Sequence, residues 1–251
     1  VFSVATEGKE FRYGSIRMPI ELWGPWRVDG DENLTPLERV GAAASSMLTP
    51  GTVLDLLANF TTFANDSKRR RIKVVARYQQ YEGANRIVER VLAGRSRKGL
   101  IWHFQGSGKS LLMLFAARKL RLHPELGNPT VVIVVDRIDL DTQIASTFYA
   151  ADAPNLVKAD SRADLERLLG QDVRKIIITT IFKFGEAEGV LNDRDNIILL
   201  VDEAHRTQEG DLGRKMRDAL PNAYSGGPII HSDHLVAVQK ENQAHGGIAG
   251  P

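Results

Sequence analysis

Residues 105–110, Gln105-Gly106-Ser107-Gly108-Lys109-Ser110, decide the fold of this chain. The apolar segment Gly99–Trp102 before them predicts a buried strand, and Leu111–Leu122 after them has the apolar spacing of a helix. A glycine turn between a strand and a helix directs backbone N–H groups inward, and the helix N-terminus adds partial positive charge. The segment therefore predicts a nucleotide phosphate site, against the alternative of a turn that merely joins two elements.

The residue types in this turn suit particular parts of a nucleotide. The ammonium of Lys109 would reach the β- and γ-phosphates, and the hydroxyl of Ser110 would bind Mg²⁺. The chain has His103 where the full phosphate-loop pattern has glycine, so the match is to the shorter core of that pattern. The predicted nucleotide-binding residues of the turn are Gly106, Ser107, Gly108, Lys109 and Ser110.

A second apolar run, Asn196–Val201, ends in the acidic sequence Asp202-Glu203-Ala204-His205. Its length predicts a buried strand, and carboxylates at the end of such a strand lie where α/β sheets bind ligands. Asp202 would hold Mg²⁺ through water, and Glu203 would orient or deprotonate the attacking water. The alternative is an exposed acidic turn in which Asp202 caps a following helix.

Composition limits the function classes without selecting one. The 251 residues include 33 basic and 31 acidic side chains, so nucleic-acid binding must be argued from local patches. Cysteine is absent, which excludes a disulfide scaffold and a thiolate metal site and is compatible with the cytoplasm. We find no apolar segment of membrane-spanning length, and we expect no membrane partner.

The order of predicted elements indicates an α/β fold. Residues 1–70 are predicted to form an α+β arm with a strand at the start, a helix over Pro50–Phe63 and a solvated cationic linker at Lys68–Arg71, whose alternative role is contact with the DNA backbone. Residues 71–230 alternate strands and helices, which is typical of a parallel sheet covered on both faces. The tail 231–251 is unassigned. The predicted elements are a helix from Tyr78 to about Leu92, a strand at 130–135, helices at 139–149 and 162–169, and a strand at 175–179.

Several blocks in this order resemble the R subunit (HsdR) of type I restriction enzymes, a member of the superfamily 2 helicases and translocases. The blocks are EFRYGSI, WGPWR, VLDLLANF, YQQYEGANRIVERV, GLIWHFQGSGKSLLM, NPTVVIVVDRIDLDTQI, IIITTIFKF, IILLVDEAHRTQ and MRDALPNA, from about residue 5 to about residue 224. The resemblance implies a RecA-like ATPase domain that uses ATP and Mg²⁺ to move double-stranded DNA. It also implies methylation (M) and specificity (S) subunits as partners.

The resemblance assigns further roles around the nucleotide. Gln80 matches an upstream glutamine that reads the adenine edge, for which an amide offers both a donor and an acceptor. The alternative for Gln80 is an exposed helix residue. His205 matches a residue that couples the ATP site to the rest of the motor, and Lys109, Asp202 and Glu203 complete the implied catalytic set.

The resemblance also places DNA contacts after two strands. Arg137 would pair with a phosphate, although its flanking aspartates allow local salt bridges instead. Thr179, Thr180 and Lys183 would contact the sugar-phosphate backbone. The neighbouring aromatic residues Phe182 and Phe184 are expected in the core.

The chain departs from the family in two ways. Ala223–Ile230 lacks the threonines of the expected coupling motif, and no acidic nuclease constellation is found. The family's nuclease domain and the second RecA-like domain, with its arginine finger, are expected outside this sequence. We therefore expect these residues to bind Mg·ATP but to hydrolyse it slowly on their own. The alternatives are another superfamily 2 helicase and a nucleotide-switched binding module.

Overall fold

The computed structural model describes most of the first 221 residues and one later strand. The described residues are 2–65, 70–94, 98–103, 108–135, 148–149, 155–185, 189–202, 211–221 and 235–240. Among them no single helix is long and apolar enough to cross a membrane, and one pair of helices, Pro36–Met47 with Pro50–Ala58, passes that test only together, with a 63° bend between them.

The first part of the chain forms the α+β arm that the sequence predicts. Its elements are strands β1 (Phe2–Thr6), β2 (Phe11–Ser15) and β3 (Gly24–Pro25), helices α1 (Pro36–Met47) and α2 (Pro50–Ala58), and strands β4 (Thr61–Asn65) and β5 (Arg71–Val75). β1, β2 and β3 form one antiparallel sheet, and β4 and β5 form a separate hairpin. Each helix begins with a threonine cap followed by proline, which has no N–H to leave unpaired.

One local prediction for this region is wrong. The helix predicted over Pro50–Phe63 ends at Ala58, because the β-branched pair at Thr61 and Thr62 starts a strand instead. Of the predicted solvated linker Lys68–Arg71, Lys68 and Arg69 lie outside the described residues, Arg70 and Arg71 are exposed, and Arg71 opens β5 and pairs with Asn65.

The remaining elements form a six-stranded parallel sheet with helices. They are α3 (Tyr78–Ala93), β6 (Lys98–His103), α4 (Lys109–Leu122), β7 (Thr130–Val135), β8 (Leu156–Lys158), α5 (Arg162–Leu169), β9 (Ile176–Thr180), α6 (Ile181–Gly185), β10 (Ile197–Asp202), α7 (Asp211–Ala219) and β11 (Leu235–Lys240). The strand order is β6-β11-β10-β7-β9-β8, with every neighbouring pair parallel. β7 and β10 are buried along their whole length, as central strands of a covered parallel sheet must be.

The two faces of the sheet support two hydrophobic clusters. Along β7, Val131 and Ile133 face a cluster with α3 and α4, whereas Val132 and Val134 face a cluster with α5, α6 and α7. This alternation follows from the period of two residues in a strand. The predicted α/β class, with a RecA-like parallel sheet flanked by helices, is confirmed.

The arm shares the first of these clusters. Phe60, which follows α2, stacks at 5.4 Å between ring centroids on Phe115 of α4, and both side chains are fully buried. Tyr13 of β2 belongs to the same cluster, and its hydroxyl donates a 2.7 Å hydrogen bond to the carbonyl of Ala76. Burial raises the pKa of Tyr13, because the phenolate would be desolvated there. Residues before and after position 70 therefore pack around one core, and the predicted boundaries at 70 and 230 stay predictions.

Most predicted elements agree with the observed ones. The strand at 130–135 and the helix at 162–169 have the predicted ends, and the strand at 175–179 is observed one residue later, as Ile176–Thr180. α4 begins two residues before the predicted Leu111. The predicted helix 139–149 lies outside the described residues except for its last two. In the tail that the sequence left unassigned, β11 pairs with β6 and β10.

We predict that Phe60→Ala lowers the free energy of unfolding by about 3–5 kcal/mol, because it empties a fully packed site shared by the arm and α4. The matched control Leu54→Ala, at a side chain that is 65% exposed, changes it by less than about 0.5 kcal/mol. Urea unfolding monitored by both tryptophan fluorescence and circular dichroism measures this. Separate transitions for the two signals in Phe60→Ala would contradict a shared core.

Candidate functional site

The carboxyl edge of the parallel sheet brings distant segments of the chain together. Asp202, the last residue of β10, is level with Val238 of β11, which in turn is level with Ile101 of β6. β6 ends at His103, so the chain leaves the sheet two residues beyond the level of Asp202 and returns as α4. This register places the start of α4 and the end of β10 at the same edge.

The start of α4 has the backbone geometry of a tight phosphate turn. Gly108 is the N-cap residue and adopts φ 80° and ψ 43°, the left-handed region that glycine occupies without strain. A Cβ atom at this position would lie 2.3 Å from Nε2 of Gln80. The backbone angle therefore favours glycine at position 108, and a Cβ atom there would displace the Gln80 amide.

Gln80 connects the first turn of α3 to this glycine. Its Nε2 donates a 3.1 Å hydrogen bond to the carbonyl of Gly108, and its Oε1 accepts a 2.9 Å bond from the backbone N–H of Arg77. The side chain of Gln80 is buried, with 3% of the residue exposed. The alternative of an exposed helix residue is therefore wrong, because the side chain lies between α3 and the phosphate turn.

Lys109 and Asp202 meet where the two segments converge. Nζ of Lys109 lies 3.9 Å from Oδ1 of Asp202, and their side chains are only 12% and 8% exposed. Asp202 is the last residue of β10 and is buried, so the alternative of an exposed acidic turn is wrong for this residue. Ser110, the second residue of α4, is half-buried beside Lys109.

This arrangement can hold an anion and a divalent cation next to each other. The N-terminus of α4 and the Lys109 ammonium favour phosphate, and the Asp202 carboxylate and the Ser110 hydroxyl are oxygen ligands suited to Mg²⁺. Within the described ranges no three His, Cys, Asp or Glu side chains form a site that could hold a metal ion. Mg²⁺ typically takes one or two carboxylates together with nucleotide oxygens and water, so the residues present fit Mg·nucleotide rather than the metal alone.

The model of the SWI2/SNF2 ATPase family matches residues 79–246, about two thirds of the chain. The chain belongs to the SWI2/SNF2 ATPase family. The predicted nucleotide-using ATPase of superfamily 2 is therefore confirmed, and the matched range contains the phosphate turn, Gln80 and Asp202.

Curated relatives confirm the resemblance to type I restriction endonuclease subunits. The HindI endonuclease subunit of Haemophilus influenzae is 36% identical over 92% of this chain. The putative MjaIXP endonuclease subunit of Methanocaldococcus jannaschii is 33% identical over 92% of the chain. The chain spans 25% of the length of each of these relatives.

One solved structure with a similar fold is the UvsW helicase of bacteriophage T4. It is 14% identical, with a TM-score of 0.49, and the superposition covers 77% of this chain and 60% of the helicase chain. At this level of similarity it adds nothing to the family assignment.

Three of the four residues predicted to contact DNA lie on β9 and α6 of this SWI2/SNF2 domain. Thr179 and Thr180 end β9 and are buried, and the Thr179 hydroxyl lies 3.5 Å from the carbonyl of Thr180 as a hydrogen-bond donor. The Lys183 ammonium donates to the carbonyl of Ala159, which joins α6 to the end of β8. These three side chains contact protein groups in this structure, and their contact with DNA stays a prediction.

The expectation for the two aromatic residues of α6 is half right. Phe184 is fully buried, whereas Phe182 is 51% exposed. Ile181 and Phe184 are three residues apart in a one-turn helix, so they share one face, and both are buried. Phe182 lies on a different face of this helix. The expectation of a core position for Phe182 is therefore wrong.

Some predicted site residues lie outside the described residues. They are Gly106, Ser107, Arg137, Glu203 and His205. Their assigned roles stay predictions.

The sequence prediction missed the link from Gln80 to the backbone of Arg77. A signal for it was present, because a glutamine three residues after a helix N-cap commonly accepts a bond from the N-cap N–H. The link fixes the Gln80 amide from one side while Gly108 fixes it from the other.

We predict that Gly108→Ala destabilises the fold by about 1–3 kcal/mol more than Gly127→Ala, because a methyl group at 108 collides with Gln80. Gly127 is the matched control, since it also has positive φ but has no atom within 4 Å of its Cβ position. Urea unfolding of both variants measures the difference.

The same comparison in a Gln80→Ala background separates collision from backbone strain. There the cost of Gly108→Ala falls to about that of Gly127→Ala, because the colliding amide is gone. An unchanged cost would show that Gln80 does not press on this turn.

Proposed function

We propose that this chain is the first motor domain of a type I restriction R subunit and that it couples Mg·ATP hydrolysis to translocation of double-stranded DNA. The observation that carries the proposal is the 3.9 Å approach of Lys109 to Asp202 at the N-terminus of α4. These residues come from segments more than 90 positions apart, and together they supply the charges that a phosphate chain and its metal need.

Each residue of the turn has a separate task in this proposal. Gly108 permits the left-handed backbone that aims N–H groups at the phosphates, and Lys109 neutralises charge on the β- and γ-phosphates. Ser110 and Asp202 hold Mg²⁺, with Asp202 acting through water. Glu203, the next residue, orients or deprotonates the water that attacks the γ-phosphate.

Gln80 is proposed to recognise the adenine edge and to report on the phosphate turn. Its amide already bonds to Gly108 and to the Arg77 backbone, so its orientation is fixed before nucleotide arrives. An amide side chain offers both the donor and the acceptor that adenine requires. His205 is proposed to transmit the state of the site to the rest of the motor.

The DNA path is proposed along the carboxyl edge of the sheet. Arg137 follows β7, and Lys183 lies on α6 after β9, so both segments begin at the same edge as Asp202. Thr179 and Thr180 are proposed to act from their buried positions by fixing the backbone at the end of β9, with direct DNA contact reserved for a rearranged state.

The complete enzyme is proposed to need parts beyond these residues. A second RecA-like domain would supply an arginine finger, which is worth about 10³- to 10⁵-fold in rate in related chemistry. A nuclease domain would cut the DNA, and M and S subunits would select the site. A cytoplasmic location remains our expectation.

We predict that Glu203→Gln lowers ATP turnover by the complete protein by at least about 100-fold while ATP affinity stays unchanged, because only base catalysis and water positioning are lost. Steady-state ATPase assays and fluorescent-nucleotide titrations measure the two quantities. Glu125→Gln, an equal charge change at an exposed residue, serves as the control and keeps full activity. Undiminished turnover in Glu203→Gln would refute the proposed mechanism.

We predict that the complete protein displaces a triplex-forming strand from duplex DNA in an ATP-dependent reaction and does not separate a forked duplex. Translocation along duplex DNA removes a third strand without opening the base pairs. Strand separation without triplex displacement would instead favour a helicase of the same superfamily. ATP binding that changes DNA affinity without turnover would favour a nucleotide-switched binding module.

A further inference from the structure

The densest run of cations in the sequence spans residues 68–73 and continues into β5. Five of the six residues from 68 to 73 are lysine or arginine, and Asp66 is the only acidic residue between positions 61 and 81. The whole chain, in contrast, has a net charge of +2. The ten strand residues include Arg71 and Lys73 and no acid, and in the sequence Asp66 lies between the two strands.

The strand register gathers the described cations on one face. Asn65 pairs with Arg71, and Phe63 pairs with Lys73, so these four side chains share a face of the hairpin. The Arg71 guanidinium carbon lies 4.3 Å from the centroid of the Phe63 ring, and Nζ of Lys73 lies 5.8 Å from it. Stacking uses the flat face of the guanidinium, whereas hydrogen bonds to phosphate use the N–H groups at its edge.

The hairpin is held firmly at its base. The N–H of Ala76 donates to the carbonyl of Phe60 at 2.9 Å, and the Tyr13 hydroxyl donates to the carbonyl of Ala76 at 2.7 Å. Arg118 of α4 donates to the carbonyl of Thr61 at 3.2 Å. The cationic face is therefore presented from a fixed position on the arm and α4.

We propose that this face of the β4–β5 hairpin binds the phosphate backbone of double-stranded DNA through Arg71 and Lys73, with Arg70 beside them. A protein partner is the less favoured occupant, because a protein interface needs an apolar centre. The one ring on this face, Phe63, is 36% exposed and lies under two cations. A sequence-independent polyanion matches a cationic face that carries a single aromatic ring.

The proposal rests on the DNA motor function proposed above and adds a contact that the motor residues do not supply. Arg71 and Lys73 are not among the residues assigned to the ATP site. Loss of this contact is therefore expected to weaken DNA binding while leaving ATP binding intact.

The test uses the complete native protein and the double variant Arg71→Gln, Lys73→Gln. Binding of a fluorescent duplex of mixed sequence is measured by anisotropy at several salt concentrations, roughly 50 to 200 mM. In the double variant the apparent dissociation constant is expected to rise about tenfold at the lowest salt concentration. The slope of log K against log salt is expected to fall in magnitude by about 1.8, because each of the two lost phosphate contacts removes about 0.9.

Two further variants separate the face from general effects. The control double variant Arg86→Gln, Arg167→Gln removes the same total charge outside the hairpin, from side chains that are 62% and 57% exposed. It is expected to keep the wild-type slope of log K against log salt. Arg71→Lys keeps the charge and is expected to retain the slope as well. ATP affinity and thermal unfolding are measured in every variant to establish that each one is folded.

Three results would overturn the proposal. The first is an unchanged salt slope in the folded double variant, and the second is an equal change of slope in the Arg86 and Arg167 control. The third is that the double variant binds DNA as the wild type does but loses a subunit from the assembled complex. The last result would assign the face to an acidic protein. A failure of the motor function looks different, because the wild-type protein itself would then show no DNA-stimulated ATP turnover.

Discussion

The proposed ATP site depends on the register of the parallel sheet. Lys109 and Asp202 approach to 3.9 Å only because β11 pairs with both β6 and β10, which fixes the ends of these strands at one edge. The core on both faces enforces this register, since a shift by one residue would turn the buried side chains of β7 and β10 toward the wrong cluster. The chemistry of the site is therefore a consequence of packing along the strands beneath it.

The arm contributes to the same constraint from outside the sheet. Phe60 packs on Phe115 of α4, and Lys119 of that helix bonds to Asp55 and Asn85, each at 2.6 Å. These contacts fix α3 and α4 side by side, which brings Gln80 to within hydrogen-bond distance of Gly108. The residues before position 70 thus help to hold the helix whose N-terminus is proposed to receive the phosphates.

Patterns of chemistry and burial were readable from the sequence, whereas contacts between distant segments were not. The apolar run at 130–135 and the spacing at 162–169 predicted their elements correctly, because periodicity reports directly on burial. The glycine turn and Asp202 were identified by residue type. The burial of Gln80 and the exposure of Phe182 were missed, since each depends on a neighbour that only the folded chain supplies. The pairing of Asn65 with Arg71 was not predicted, because it joins residues on both sides of a cationic run.

The central claim is that Asp202 and the turn at Lys109 form one site for Mg·ATP. The most direct measurement is the Mg²⁺ dependence of ATP affinity in the complete protein carrying Asp202→Asn, with Asp193→Asn at an exposed position as the control. Mg²⁺ is expected to tighten ATP binding in the wild type and in the control. In Asp202→Asn the factor by which Mg²⁺ tightens ATP binding is expected to be about tenfold smaller, a difference of about 1.4 kcal/mol. The same gain from Mg²⁺ in Asp202→Asn as in the wild type would contradict the central claim.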